Sequence, residues 1–281
     1  MSRLSFVFLL LALTSLPVCA EEFNKTYNVN GAPLLHLETD DAGVRLRSCD
    51  CKQVEAHVYI QGYKPDQVRI TENQSGDQIT FAVRTRDRHI NINFGTSHRS
   101  IRIEVTVPRQ SNLDVHTSDG RIDAENIQGE IRLNTSDGRI QAAHLKGKLE
   151  LHTSDGHIEL SDADGQLDAR TSDGHIRALG RFDDLNLETS DGEIFAEVRT
   201  GSKMSSSWNV RSQDGRVTLR LPQDFSAELY ARSGDGTVHS DLPITIDAYT
   251  GNRHEVRGRL NSGGSTLTVR TDDGSIYLEK L

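Results

Sequence analysis

Thr117-Ser118-Asp119-Gly120 is a stretch the chain repeats: the same four letters return at 135–138, 153–156, 171–174 and 189–192, each time 18 residues on. A fixed period without slippage marks a fold built by stacking one small unit. With Thr as column 1, column 6 holds Ile122, Ile140, Ile158, Ile176 and Ile194, and column 8 holds Ala124, Ala142, Leu160, Ala178 and Ala196. Columns 15 and 17 hold Ile131/Leu133, Leu149/Leu151, Leu167/Ala169 and Leu185/Leu187. Alternate positions are polar, as at Glu130, Arg132 and Asn134, so each unit reads as two half-buried strands. The same alternation turns the Thr side chain inward at the end of its strand.

Two turns join these strands. One is Ser-Asp-Gly, in which the carboxylate is expected to accept local backbone N–H groups and Gly to supply a positive φ. Its residues are Asp119 and Gly120, Asp137 and Gly138, Asp155 and Gly156, Asp173 and Gly174, and Asp191 and Gly192. The other turn centres on Gly129, Gly147 and Gly165 in column 13, with Asp183 standing there in the fourth copy. Column 11 is Ile127, Leu145 and Ala163, then slips past Arg181 to Phe182. One unit cannot stand alone. Ordering its backbone costs ~1–2 kcal/mol per residue, while about five buried side chains return ~1.5–3 kcal/mol each. Copies must therefore share a core and a parallel ladder at ~4.8 Å spacing. The expected fold is all-β: a parallel β-solenoid, helix- or roll-like, of 18-residue two-strand coils, preceded by an N-terminal β-strand region.

Outward from the array, residues 21–110 read as irregular N-terminal strands, 111–199 as regular coils, and 200–281 as looser coils with insertions, all in one domain. Leu35, Leu37 and Thr39, then Asp40-Asp41-Ala42-Gly43, Val44 and Leu46, form a degraded copy of the unit. Further strands are expected at 54–60, 68–70, 79–83, 90–94 and 101–107, the last stopped by Pro108, with turns at 72–77 and 95–100. The charged run 84–89 reads as a solvated strand end. Downstream, Trp208, Val210 and Ser212 precede Asp214-Gly215; Leu229, Ala231 and Ser233 precede Asp235-Gly236; Leu267, Val269 and Thr271 precede Asp273-Gly274. Successive Gly spacings stretch to 23, 21 and 38 residues, the added length lying at 200–207, 221–225 and 242–265. Insertions in repeat proteins map to loops on one side, so a functional surface is expected there. The last strand, 276–278, runs into Glu279 and Lys280, charges suited to blunting an exposed edge.

Residues 1–20 read as a secretory signal peptide: Arg3, an apolar run at 6–13, and small residues at Val18 and Ala20 that place cleavage after Ala20. No segment approaches the ~20 apolar residues of a spanning helix. The 281-residue chain has formal net charge −9, and Arg3 is the one charged side chain in 1–20, so the mature chain carries −10. That balance disfavours nucleic acid and anionic membranes as partners. Of three cysteines, Cys49 and Cys51 remain after processing, as two thiols or one local bridge.

No motif brings catalytic or cofactor chemistry together. The stacked Asp column invites a calcium reading, but each nine-residue half-unit has one Gly and the alternate half lacks the Asp. Asp-Gly is above all a turn dipeptide, and carboxylates ~4.8 Å apart repel by about 0.9 kcal/mol in water. Arg121 and Arg139 are placed to offset part of that charge. His116 and His152 share column 18, and His157 and His175 share column 5; both columns face solvent by alternation.

The pattern resembles a bacterial exported family of unknown function whose domain is labelled a putative adhesin with β-strand repeats, similar to auto-transporter adhesin head-like domains. The resemblance lies in the strand-and-Pro108 passage into 113–120, in the repeated T-S-D-G-x-I, and in G-R-L-N-S-G-G-S-T-L-T-V-R-T-D-D-G-S-I at 258–276. It implies a non-enzymatic, cofactor-free interaction module, periplasmic, surface-associated or secreted, whose partner is a protein or polysaccharide of the cell envelope. Two other readings are a glycan-binding or glycan-processing β-helix, with its groove around Trp208 and 242–265, and a calcium-stabilised scaffold.

Overall fold

A computed structural model describes residues 21–64, 66–86, 99–245 and 253–281. The leader at 1–20 and the strand expected at 90–94 lie outside them. The described residues are all-β. The N-terminal part contributes β1 (Glu21–Asn28), β2 (Leu34–Thr39), β3 (Gly43–Cys49), β4 (Gln53–Gln61), β5 (Val68–Ser75), β6 (Gln78–Thr85) and β7 (Ser100–Pro108). The regular array contributes β8 (Asn112–His116), β9 (Ile122–Glu125), β10 (Gln128–Asn134), β11 (Ile140–Ala143), β12 (Lys146–His152), β13 (Ile158–Arg170), β14 (Ile176–Glu188) and β15 (Ile194–Val198). The looser part contributes β16 (Trp208–Arg211), β17 (Val217–Leu221), β18 (Ala227–Ser233), β19 (Val238–Ser240), β20 (Ile244–Thr245), β21 (Glu255–Leu260), β22 (Thr266–Thr271) and β23 (Ile276–Lys280).

These strands form two facing ladders. The first runs β6, β2, β8, β10, β12, the second halves of β13 and β14, β16, β22 and β18, all parallel. The second runs β7, β3, β9, β11, the first halves of β13 and β14, β15, β17, β23 and β19, again parallel. Ile122, Ile140, Ile158, Ile176 and Ile194 are register partners in that order, and Leu113, Ile131, Leu149, Leu167 and Leu185 follow the same rule in the other ladder. All ten are buried, so the apolar columns stack into one continuous core between the ladders. Antiparallel strands cap the stack: β5 on β6, β4 and then β1 on β7, and β21 and then β20 on β18.

Both ends of the stack depart from chain order. β2 and β3 sit between the β6/β7 level and the β8/β9 level, although β6 and β7 come between them and β8 in sequence. At the other end β22 and β23, last in the sequence, sit between β16/β17 and β18/β19. The final strand is therefore interior, paired on both sides, and Glu279 accepts a charged hydrogen bond from Arg220 (2.8 Å) instead of guarding an edge. The degraded copy at 35–46 fills a full level as β2 and β3. The turn expected at 72–77 contracts to Gly76-Asp77, because β5 continues to Ser75.

Candidate functional site

The Ser-Asp-Gly corners are built by their Thr. The Thr153 hydroxyl, buried, accepts from the Gly156 N–H (3.1 Å) and lies 3.0 Å from the Ser136 and Gly138 carbonyls of the previous level, to which it donates. Thr135 and Thr171 repeat the arrangement, and Thr117 accepts from the Gly120 N–H and donates to the Asp40 carbonyl. Ser212, Ser233 and Thr271 carry it into the looser levels, where Thr271 donates to Gly215 and Ser233 to Gly274. The hydroxyl ladder thus follows the spatial order of levels and not the order of the chain. The corner Gly N–H goes to the hydroxyl oxygen, and the Ser and Asp N–H groups go to the Ser carbonyl of the previous level, not to the Asp carboxylates. Asp119, Asp137, Asp155, Asp173 and Asp191 point out as an exposed ridge.

The glycines of these corners serve a different purpose from the one expected. None of Gly120, Gly138, Gly156, Gly174 and Gly192 has a positive φ. A Cβ on Gly156 would instead fall within 2.7 Å of the Gly138 carbonyl carbon and 2.7 Å of Thr153 Oγ1, and closer still to the Gly138 oxygen. Backbone stacks on backbone, and there is no room for a side chain. The second corner also differs from expectation. Gly129 and Gly147 lie inside β10 and β12, and the bend is made by Asn126, His144 and Asp162 at φ of 62°, 55° and 53°. Asn and Asp tolerate this left-handed region best. In the fourth copy Phe182 pairs with Gly165 and Asp184 with Gln166, which leaves Asp183 as an extra, bulged residue.

Solvated columns hold more structure than alternation suggests. His157 and His175 stack with ring centroids 4.9 Å apart, and their Nδ1 atoms accept the backbone N–H groups of His175 (3.1 Å) and Glu193 (3.0 Å). Burial, then the positive charges of His175 and Arg139, hold His157 below the usual histidine range, against the pull of Glu159. His36 Nδ1 meets Asp114 at 2.9 Å and its Nε2 meets Glu38 at 3.0 Å, tying β2 to β8. Burial pulls the His36 pKa down, but the Glu38 and Asp114 hydrogen bonds and charges outweigh it and the net direction is up. Arg84, read as part of a solvated run, is ion-paired to Glu38 and Asp40. Arg121 pairs with Asp123 of β9 (2.7 Å) and not with the corner carboxylates it was expected to offset. Cys49 and Cys51 are joined in a local bridge.

Two expectations concern a binding groove. Trp208 cannot stack a sugar: it is fully buried against Phe225 (centroids 5.2 Å), with its Nε1 directed at the Asp183 carbonyl (3.4 Å). Its register partner is Leu267, which marks it as a core position. The three insertions, by contrast, do meet. Gly201, Lys203 and Met204 from the first, Asp224 and Phe225 from the second, and Gly263 and Gly264 from the third line one open cleft of about 420 Å³. Part of 242–265 serves the fold instead, as β20 and β21 capping β18. Among the described residues no group of three or more His, Cys, Asp and Glu side chains is placed to hold a metal, and no helix is long and apolar enough to cross a membrane.

Two stacked parallel ladders, capped at both ends and carrying one insertion-lined cleft, define a β-solenoid-like repeat protein. The chain belongs to the Toastrack DUF4097 family, whose profile matches residues 34–279. No curated protein matches the chain. Among solved structures it is similar to a putative adhesin from Parabacteroides merdae, at 12% identity and a TM-score of 0.52, covering 92% of this chain and 96% of that one. It is similar as well to a putative lipid binding protein from Parabacteroides distasonis, at 15% identity and a TM-score of 0.50, with coverage of 92% and 96%. These likenesses extend over almost the whole fold.

Proposed function

We propose that the protein is an exported, non-enzymatic interaction module of the cell envelope, adhesin-like in action, that binds a surface protein or polysaccharide. Its body, in this reading, is a solenoid of 18-residue two-strand coils, supported by the Ile122-to-Ile194 register. A signal peptide at 1–20 and one domain over 21–281 complete the picture. The carrying observation is the convergence of all three insertions on one cleft. Elsewhere the corners are sealed by backbone-on-backbone contact, so the chain departs from its period where a partner can be accommodated. The adhesin-like neighbour of the same fold accords with this role.

The test is binding of labelled 21–281 to a glycan array and to intact cells, beside the cleft variant Lys203→Glu/Met204→Glu. Saturable binding that the variant loses, with an unchanged circular dichroism spectrum, is the expected result. Binding by neither surface, or equal binding by the variant, refutes the proposal. Whole deletion of 242–265 is a poorer variant, because it strips β20 and β21 from the cap.

A further inference from the structure

The out-of-order placement of β22 stacks three arginines on adjacent strands. Arg211 of β16 is the register partner of Arg270 of β22, and Arg270 is the register partner of Arg232 of β18. The row continues to Glu188 on one side and Glu255 on the other, giving Glu-Arg-Arg-Arg-Glu across five adjacent strands. Like charges directly opposite each other destabilise a strand pair. Four stacked basic side chains of the regular levels are answered by carboxylates: Arg132 by Glu150 and Glu130, Lys148 by Glu130 and Glu150, Arg170 by Asp168 and Glu188, Arg181 by Asp164 and Asp183. In the triple row, Arg211 reaches Asp272 only at 3.9 Å, and among the described residues neither Arg232 nor Arg270 has an ion-pair partner. The row is exposed and borders an open depression of about 340 Å³ lined by the three arginines, Tyr230 and Asp272. Tyr230 holds two guanidinium groups against its ring, Arg257 at 4.6 Å and Arg270 at 5.1 Å from the centroid. Stacking of this kind fixes a guanidinium while leaving its in-plane N–H fork free for two oxygens of a carboxylate or sulfate.

We infer that this row binds a linear acidic polysaccharide, whose successive carboxylate or sulfate groups each meet one arginine. Three cations at the ~4.8 Å strand spacing form a line, not a plane. Glu188 and Glu255 close the line at both ends, and an anionic bilayer would meet those carboxylates together with the exposed Asp ridge. A single polymer chain can lift off the surface beyond the outer arginines, which a flat bilayer cannot do. The sequence carries the signal in the looser levels: Arg211-Ser212, Arg232-Ser233 and Arg270-Thr271 each place arginine just before the corner hydroxyl. The regular levels have His116, Asn134, His152, Arg170 and Glu188 there. The inference rests on the reading of the protein as an interaction module but uses the outer sheet face and not the insertion cleft.

The experiment measures Kd of mature 21–281 for polygalacturonate, dextran sulfate and neutral dextran, and for phosphatidylcholine/phosphatidylglycerol vesicles in equal parts. Binding of either acidic polymer well above dextran, falling steeply with salt, is expected. Arg270→Gln should weaken it about tenfold and the triple variant Arg211→Gln/Arg232→Gln/Arg270→Gln more than that. Arg139→Gln, several levels away along the stack, removes a charge without effect. Arg270→Gln should melt at or above the wild-type temperature, since it relieves like-charge pairing, so lost binding is not lost folding. Wild-type affinity in the triple variant, equal binding of dextran, or binding of vesicles without binding of soluble polymer overturns the inference. The cleft variant Lys203→Glu/Met204→Glu should retain polygalacturonate binding, so failure of the cleft proposal and failure of this one are separable.

Discussion

Gly156→Ala tests whether the repeated glycine is dictated by contact and not by φ. A Cβ at 2.7 Å from the Gly138 carbonyl carbon must retreat about 1 Å to reach the ~3.5–4 Å of ordinary contact. The corner is held there by Ser154 N–H and Asp155 N–H on the Ser136 carbonyl (2.9 and 3.0 Å) and by the Thr153 hydroxyl at 3.0 Å from the Ser136 and Gly138 carbonyls. Retreat on that scale stretches these bonds past useful length. At about 1 kcal/mol net for each of three bonds, with roughly 1–2 kcal/mol more for a buried hydroxyl left unsatisfied, the loss is about 4–5 kcal/mol. That is a large share of the ~5–15 kcal/mol that holds an ordinary domain together. Urea unfolding of mature 21–281, followed by circular dichroism, reads the change. Gly156→Asn sharpens the test: Asn would be tolerated if the position needed a left-handed φ, but should cost as much as Ala if contact rules. Gly43→Ala is the control, since nothing lies within 4 Å of its would-be Cβ, and it should be neutral or slightly stabilising. A midpoint for Gly156→Ala within about 0.5 kcal/mol of wild type would refute the contact argument.

Three further outcomes follow from the same geometry. Thr153→Val keeps the shape but removes the bridging hydroxyl and should cost about 1–3 kcal/mol in urea unfolding, while Thr153→Ser, which copies Ser212 and Ser233, should cost less. His157 is held below its unfolded value, so its share of stability is present above about pH 6.5 and is lost as pH falls below it; His157→Gln should flatten the acid limb of a melting-temperature profile, and an unchanged profile counts against the Nδ1 acceptor role. Truncation after residue 260 removes β22 and β23 from the middle of the stack, so β18 and β19 should lose their docking and hydrogen-exchange protection along with the missing residues; retained protection over 227–240 would contradict the strand order.

What the sequence makes legible is whatever its period encodes. The buried columns, the inward Thr and the degraded copy at 35–46 all follow from alternation within one strand. Order along the stack does not, because Ser212, Ser233 and Thr271 are chemically equivalent corner residues and any of them can follow any other. β1 escapes for a related reason: its alternation is Phe23, Lys25, Tyr27, with a charge in the middle that ion-pairs with Glu72 (2.7 Å) while the buried Tyr27 hydroxyl donates to the same carboxylate. The corner glycine has the right identity for the wrong reason, since the carbonyl it must avoid belongs to another level and no local rule sees it. Trp208 was readable: counting back from Ser212 as Leu267 is counted back from Thr271 puts it in the apolar column.

The inverted order at both ends bears on why the stack stops. A solenoid that simply ran out would expose two parallel strands at each end, each a template for another copy. Here the levels that close the stack come from inside the sequence, and β6, β7 and β18 each have an antiparallel partner on the outer side. β6 is covered by β5, whose outer positions Arg69, Glu72, Asn73 and Gln74 are polar. β7 is covered by β4 and then by β1, which places Lys25 near the rim. β18 is covered by β21, beyond which β20 offers two residues, and β19 offers three. Placing β2/β3 and β22/β23 one level inward leaves β6, β7 and β18, which carry antiparallel partners, at the ends of the stack. The same choice brings Arg270 between Arg211 and Arg232, so the row of unpaired charge is a direct product of how this fold ends itself.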